Sequence, residues 1–238
     1  MERCVIVGGA TIGNYKFVRD HIRDTDFVIY CDCGLSHMES LGAAPSLIVG
    51  DFDSHENPHM DVETIVLPTV KDDTDTVYAV KEGIKRGFTD FLLVGVLGKR
   101  FDHSLGNLAI LLMLDSEELS GMIVDDYSEI TVLSWGRNTN CGCAKEADGV
   151  VNSFEEGNSL VTDTPVTAEI TDSCKYFSLL AAGGDAHGVT IVDAKYNIED
   201  ADLTTNFPLG VSNEVPVGNI AKVSIKEGRL FLIKIFQE

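Results

Sequence analysis

Three acidic clusters each follow a short apolar run between Gly50 and His103. Leu47-Ile48-Val49 leads into Gly50-Asp51-Phe52-Asp53-Ser54, Thr64 to Leu67 into Lys71-Asp72-Asp73-Thr74-Asp75, and Phe91 to Val94 into Gly98-Lys99-Arg100-Phe101-Asp102-His103. If the runs are parallel strands, the clusters share the carboxyl edge of one sheet, where open α/β sheets place ligands. Carboxylates gathered there repel one another unless a cation joins them. The chemistry this predicts is a magnesium site handling a phosphate ester, because magnesium takes hard oxygen ligands and keeps positions open for phosphate oxygens.

Within the first cluster, Asp51 and Asp53 are two residues apart, a spacing that puts both side chains on one side of an extended segment. Gly50 permits a tight exit from the strand, and Ser54 offers a further hydrogen bond. An acidic turn with no ligand, or an aspartate nucleophile at Asp51, uses the same residues. In the second cluster Thr74 and one aspartate suit a helix N-terminus. Asp75 is then the carboxylate left to turn toward a cation, and Lys71 supplies a point charge for phosphate. In the third, Arg100 can grip phosphate oxygens through its planar fork. Asp102 can cap the following helix or orient Arg100. His103 is a base or a structural residue, and Asn107 lies one turn further on the same helix. Gly8-Gly9 and Asp32-Cys33-Gly34 mark two more strand exits. Downstream, Gly210-Val211-Ser212-Asn213-Glu214 reads as a polar turn whose Ser212 and Asn213 can hydrogen-bond a heteroaromatic ring.

The elements that must position these residues follow from periodicity. Cys4 to Val7 and Phe27 to Cys31 are short, apolar and rich in β-branched residues, as buried strands are. Phe17, Val18, His21 and Ile22 have helical spacing, and Leu35 to Leu41 is a second helix candidate ended by Gly42. Val77, Val80 and Ile84 form a stripe on a helix from Asp73 or Thr74 to Gly87. Leu105, Leu108, Leu111 and Leu112 form another on a helix capped near Asp102. This alternation predicts a Rossmann-like, mainly parallel sheet covered on both faces. Beyond about Gly121 the pattern becomes short strands: Ile130–Trp135, Val166–Thr171, Tyr176–Ala181, Val189–Ala194, Ile220–Ile225 and Leu230–Phe236. The expectation is an α/β domain over 1–126 followed by an all-β sandwich over 127–238.

Composition restricts the partners. Eighteen basic against 38 acidic residues give a formal charge of −20, which argues against nucleic acid, whose phosphates demand a basic surface. No apolar run reaches the ~20 residues of a membrane span. The N-terminus enters a strand-like run at once, so a cytoplasmic location without a membrane partner is expected. None of the six cysteines forms a two-residue-spaced pair; Cys141 and Cys143 sit in a polar stretch, and reduced thiols are the expectation.

In order and spacing the four motifs resemble the thiamine pyrophosphokinase family, over essentially the whole chain. The resemblance implies a nucleotide-binding α/β domain followed by a thiamine-binding β-sandwich. It implies an enzyme that moves the pyrophosphoryl group of ATP onto the thiamine hydroxyl, giving thiamine diphosphate and AMP with Mg2+, as a homodimer. Carried onto matching positions, it makes Asp51, Asp53 and Asp75 the magnesium ligands. Asp32, Lys71, Thr74, Arg100, His103 and Asn107 become ATP contacts, and Asp102, Ser212 and Asn213 thiamine contacts. Asp32 matches the aspartate of the family's Asp-Gly-Gly turn, and Cys33 replaces its middle glycine. The stretch from Arg137 to Gly157 is longer than the family minimum. Two alternatives keep the same residues: a magnesium-dependent phosphate-ester hydrolase using Asp51, and a non-catalytic nucleotide- or thiamine-binding module.

Overall fold

The computed structural model describes residues 3–52, 60–68, 72–135 and 167–236. Two compact units emerge. One comprises Met1–Val132 with Leu232–Glu238, the other Leu133–Phe231.

The first unit carries strands β1 (Cys4–Val7), β2 (Phe27–Cys31), β3 (Leu47–Gly50), β4 (Thr64–Val66), β5 (Asp90–Val94), β6 (Ser120–Val124) and β7 (Ser128–Ser134, whose last two residues fall in the second unit). Their order is β7-β6-β5-β1-β2-β3-β4, parallel throughout except for the antiparallel β6–β7 pair. The central strands β1, β3 and all of β5 beyond Asp90 are buried from end to end. That is why they read as continuous apolar runs and not as alternations. Val5, Val7, Val28, Tyr30, Leu92 and Val94 point to one face and pack with Val18 of α1 (Tyr15–Arg19) and Leu41 of α2 (Met38–Leu41). Cys4 and Phe91 belong to the other face, against α3 (Asp75–Lys85), where a Cβ on Gly83 would lie 2.7 Å from the Phe91 ring. After β5 comes α4 (Phe101–Ser116), the last helix among the described residues.

The three apolar runs that precede the acidic clusters are parallel strands of this one sheet: β3 and β4 are neighbours, and β1 and β2 lie between β3 and β5. The chain builds outward from β1 through β2 and β3 to β4, then crosses to the other side of β1 to place β5. The switch point therefore lies between the carboxyl ends of β1 and β5, where an open sheet leaves a crevice.

Several boundaries differ from the sequence expectation. The candidate helix from Leu35 is a 3-10 turn, Asp32–His37, before the short α2, which Gly42 ends in the left-handed conformation (φ 65°). The α/β pattern also continues past Gly121, because Ser120–Val124 is a parallel strand. Its Gly121 is required by the close approach of α4: a Cβ there would lie 2.7 Å from Leu114.

The second unit is antiparallel. β8 (Ala168–Thr171), β10 (Ala186–Val192), β11 (Ile198–Leu203) and β13 (Ile220–Ser224) form a sheet in the order β11-β10-β13-β8. β9 (Tyr176–Ala181) pairs with β12 (Gly210–Asn213), and β14 (Arg229–Ile235) passes from this unit into the first. The fold class is thus a mainly parallel α/β unit and an antiparallel β unit, as the sequence predicts. β11 escaped the reading because Ile198-Glu199-Asp200-Ala201-Asp202-Leu203 is an acidic edge strand with little apolar alternation, and charge on an edge discourages pairing with other chains. No helix among the described residues is long and apolar enough to cross a membrane.

Candidate active site

Three acidic residues of the first unit are delivered by a strand end or a helix start. Asp32 follows β2, Asp51 follows β3, and Asp75 opens α3. One carboxylate oxygen from each lies within 4.8 Å of the others. Asp32 is buried, with 5 % of its surface exposed, and the other two are half-buried. Such a set of hard oxygen donors at the mouth of a sheet suits a magnesium ion, which takes one or two carboxylates and keeps several waters.

The sequence reading placed Asp51 and Asp75 here. It gave Asp32 to the nucleotide instead of the cation, since one aspartate after a strand carries no spacing signal. Asp53 and Ser54, like Lys71, Cys141 and Cys143, lie outside the described residues. Phe52, next to Asp51, has φ 54°, a left-handed conformation costly for an aromatic residue. Gly50 has a different use from a tight exit. Its hydrogen faces Asp32, and a Cβ would lie 2.9 Å from the Asp32 Cβ, so glycine lets the two strand ends bring their carboxylates together.

The second cluster divides its tasks. Thr74 Oγ1 accepts from the backbone N of Val77 at 3.3 Å and caps α3. Asp73 accepts from Lys81 at 2.7 Å. Asp75, in the first helical turn, joins the carboxylate group, where the α3 dipole favours negative charge.

Beside this group, a cleft of about 370 Å3 opens at the switch point. Its walls are the β1 exit (Gly8 to Thr11), the β2 exit (Cys31 to Cys33), the start of α3 (Thr74 to Thr76), the loop from β5 into α4 with Lys99 and Arg100, and His103 and Asn107 of α4. Two helix N-termini, glycine backbone and two cationic side chains make this an anion-receiving surface. Six predicted residues meet there: Asp32, Thr74, Asp75, Arg100, His103 and Asn107.

Their side chains are not equally available. Asn107 is buried and its Nδ2 donates to the Val96 carbonyl at 2.7 Å, holding the β5 exit against α4. Ser104 Oγ accepts from the backbone N of Gly98 at 3.1 Å and ties down the same loop. α4 begins at Phe101, and Asp102 is not its cap; it lies in the first turn and pairs with Arg100, whose Nε and Nη2 donate at 3.0 and 2.7 Å. Arg100's hydrogen bonds hold the Asp102 carboxyl well below the usual range, so Asp102 is an anion and a poor proton acceptor near neutrality. Both side chains are exposed, and exposed pairs of this kind contribute little. A phosphate can therefore recruit the Arg100 fork at small cost.

The 3-10 turn that carries Asp32 is packed tightly. A Cβ on Gly34 would sit 2.2 Å from the Val7 carbonyl oxygen, and one on Gly9 would sit 2.4 Å from the Cys33 Cβ. The pairing of Gly9 with Cys33 is how the chain accommodates a side chain at position 33. Replacing Gly34 by alanine is expected to push the turn off β1, lowering stability by about 1–3 kcal/mol and displacing Asp32. Thermal unfolding and magnesium titration of the variant check this; unchanged values for both would contradict it.

The remaining predicted residues belong to the second unit. Gly210 to Asn213 is not a turn but β12, with a bulge against β9: between the pairs Gly210–Leu179 and Asn213–Phe177, Val211 and Ser212 oppose the single residue Ser178. Ser212 takes φ 59° in that bulge, and its backbone N donates to Ser178 Oγ at 3.0 Å. The side chain of Ser212 is exposed. Asn213 is buried and braces the chain locally. Its Oδ1 accepts from the backbone N of Tyr196 and Glu214, and its Nδ2 donates to the Tyr196 carbonyl at 2.8 Å. Most of its hydrogen-bonding capacity thus goes to holding Tyr196 beside β12.

Comparison with known proteins agrees with this division. The family model "Thiamin pyrophosphokinase, catalytic domain" matches residues 18–123, and "Thiamin pyrophosphokinase, vitamin B1 binding domain" matches 166–230. Together they span well over half of the chain. The chain belongs to the thiamine pyrophosphokinase family of enzymes. A relative described as thiamine pyrophosphokinase of Bacillus subtilis is 23 % identical over 209 residues, covering 85 % of this chain and 84 % of its own. Among solved structures, thiamine pyrophosphokinase from B. subtilis superposes with a TM-score of 0.77 at 20 % identity, covering 100 % of both chains. The Geobacillus thermodenitrificans protein gives 0.73 at 22 %, covering 99 % of this chain and 98 % of its own. The Candida albicans protein gives 0.67 at 12 %, covering 98 % and 89 %. At such identities these structures speak for the fold, which thiamine pyrophosphokinases retain while most of the sequence changes.

Proposed function

We propose that this enzyme transfers the pyrophosphoryl group of ATP to the hydroxyl of thiamine, yielding thiamine diphosphate and AMP with Mg2+. The observation that carries the reading is the meeting of Asp32, Asp51 and Asp75 beside a cationic, glycine-walled cleft at the switch point. It gains weight from the family to which the chain belongs.

In this reading Asp32, Asp51 and Asp75 hold the ion, with Asp53 added on the family resemblance. The ion neutralises and orients phosphate oxygens when bound. The chain's own groups do the rest by position and charge, as phosphoryl-type transfer requires. Lys99, with Lys71 added on the resemblance, receives the triphosphate. Arg100 leaves Asp102 to fork onto the transferred group, stabilising charge as the thiamine oxygen attacks in line. Thr74, His103 and Asn107 shape the nucleotide side, Asn107 through its hold on Val96. Asp102, an anion beside Arg100, suits a contact to the cationic thiamine better than proton abstraction.

Thiamine is assigned to Ser212, braced by Asn213, in the second unit. Exposed apolar side chains flank both motifs: Phe101 and Leu105 beside Arg100, Leu209 and Val211 beside Ser212. They support a homodimer in which a second copy covers these surfaces and completes the thiamine pocket. Ser212→Ala is expected to raise the thiamine KM about fivefold, the scale of one net hydrogen bond, with the ATP KM unchanged. An unaltered thiamine KM would move the pocket elsewhere.

Thiamine-dependent consumption of MgATP by the pure protein tests the function. Consumption that needs no acceptor would favour the hydrolase reading, with Asp51 as nucleophile. Tight binding of ATP or thiamine without turnover would favour a non-catalytic binding module.

A further inference from the structure

The segment after β1 runs from Gly8 to Asn14; its first part, Gly8 to Thr11, forms one wall of the cleft, and side chains anchor the segment at two points. At its far end Asp126 Oδ1 accepts from the backbone N of Gly13 (2.7 Å) and Asn14 (3.0 Å). Nearer the cleft stands His37, buried with 6 % of its surface exposed. Its Nε2 lies 3.0 Å from the Ala10 carbonyl oxygen, and its Nδ1 lies 2.7 Å from the Tyr15 hydroxyl. A carbonyl oxygen only accepts, so Nε2 carries the ring hydrogen, and Nδ1 then receives the Tyr15 O–H. Burial holds the imidazole below its ordinary pKa, in keeping with this neutral tautomer.

Ala10 is fixed on both sides. Its N–H donates to the Gly95 carbonyl at 2.8 Å while its carbonyl accepts from His37. No peptide among the described residues is cis. In a planar trans peptide the carbonyl of one residue and the N–H of the next point in opposite directions. With the Ala10 carbonyl turned to His37, the Thr11 N–H is turned to the other side. Ala10 and Thr11 line the cleft, whereas His37, which holds the Ala10 carbonyl, does not.

We infer that His37 is a positioning residue for the nucleotide: by fixing the Ala10–Thr11 peptide, it aims the Thr11 N–H at a phosphate oxygen of bound ATP. The inference rests on the reading of this cleft as the ATP site. Tyr15 takes part at one remove, since its hydroxyl fixes the tautomer that leaves the hydrogen on Nε2.

Two polar substitutions separate the contacts of His37. In His37→Gln the terminal amide reaches about as far as Nε2 and keeps the Ala10 bond. In His37→Asn it reaches only to the Nδ1 position, keeping Tyr15 and losing Ala10. His37→Asn is expected to raise the ATP KM about tenfold, the worth of a hydrogen bond to a charged group. The thiamine KM should stay put, and His37→Gln should lie within about threefold of wild type on the same scale. Tyr15→Phe should raise the ATP KM by a smaller factor and provides a second route if His37→Asn folds poorly. Equal ATP KM values in the Asn and Gln variants, or parallel changes in the ATP and thiamine KM, would overturn the positioning role. Direct titration of the wild-type protein with MgATP tells the two levels apart. Absence of ATP binding there removes the nucleotide reading itself, whereas normal binding with unresponsive variants removes only the role of His37.

Discussion

Asp51→Asn is expected to lower thiamine diphosphate formation by about 10²–10³-fold, the scale of losing one strong electrostatic contact to a reacting group. The change is isosteric and leaves the strand end β3 in place, so the loss should come with an intact fold. Its sign on stability is opposite. Without a cation, three carboxylates whose oxygens lie within 4.8 Å repel one another. Removing one charge relieves that repulsion, so the metal-free variant should unfold at a higher temperature than metal-free wild type. The gain in melting temperature on adding MgCl2 should shrink at the same time, because ion binding stabilises only the state that binds. Asp51 is a cleaner probe than Asp75, whose charge also favours the N-terminus of α3. A variant with wild-type turnover, or with an undiminished magnesium response in thermal unfolding, would remove Asp51 from the ion site.

The second large effect is expected at Arg100. Arg100→Ala should reduce kcat by about 10²-fold with a smaller change in the ATP KM, since its fork is assigned to charge that develops during transfer. Arg100→Lys should recover only part of the loss, because an ammonium cannot match two phosphate oxygens with a planar pair of donors. Steady-state kinetics on the three proteins, with both substrates varied, decides the matter. An Arg100→Ala enzyme altered only in KM would make Arg100 a binding residue without a share in the transfer step.

What could be read in the sequence depended on how locally each feature was encoded. The strands β1, β2, β3 and β5 are continuous apolar runs because both faces of a parallel sheet are covered, so composition alone reveals them. β6 and β12 are not, for opposite reasons. Gly121 gives up strand propensity to let α4 approach, and Ser212 bends into a bulge whose residues mimic a turn. Asp75 and Thr74 could be assigned because a helix start dictates which residue caps and which turns inward. Asp32 was set apart from the cation because its companions come from other strands, and sheet order, not spacing, brings them together. His37 left no signal at all. Its importance lies in a hydrogen bond to a backbone carbonyl 27 residues away, which no periodicity records. Asn213 carries the reverse lesson: it reads as a ligand-contacting amide, yet most of its capacity secures Tyr196.

The central claim is that the cleft transfers a pyrophosphoryl group and not a single phosphoryl group or a phosphate to water. Separation of the nucleotide products after incubation with MgATP and thiamine tests it most directly. AMP formed in equal amount with thiamine diphosphate is the predicted result. ADP as the product, or nucleotide turnover that proceeds equally without thiamine, would contradict it.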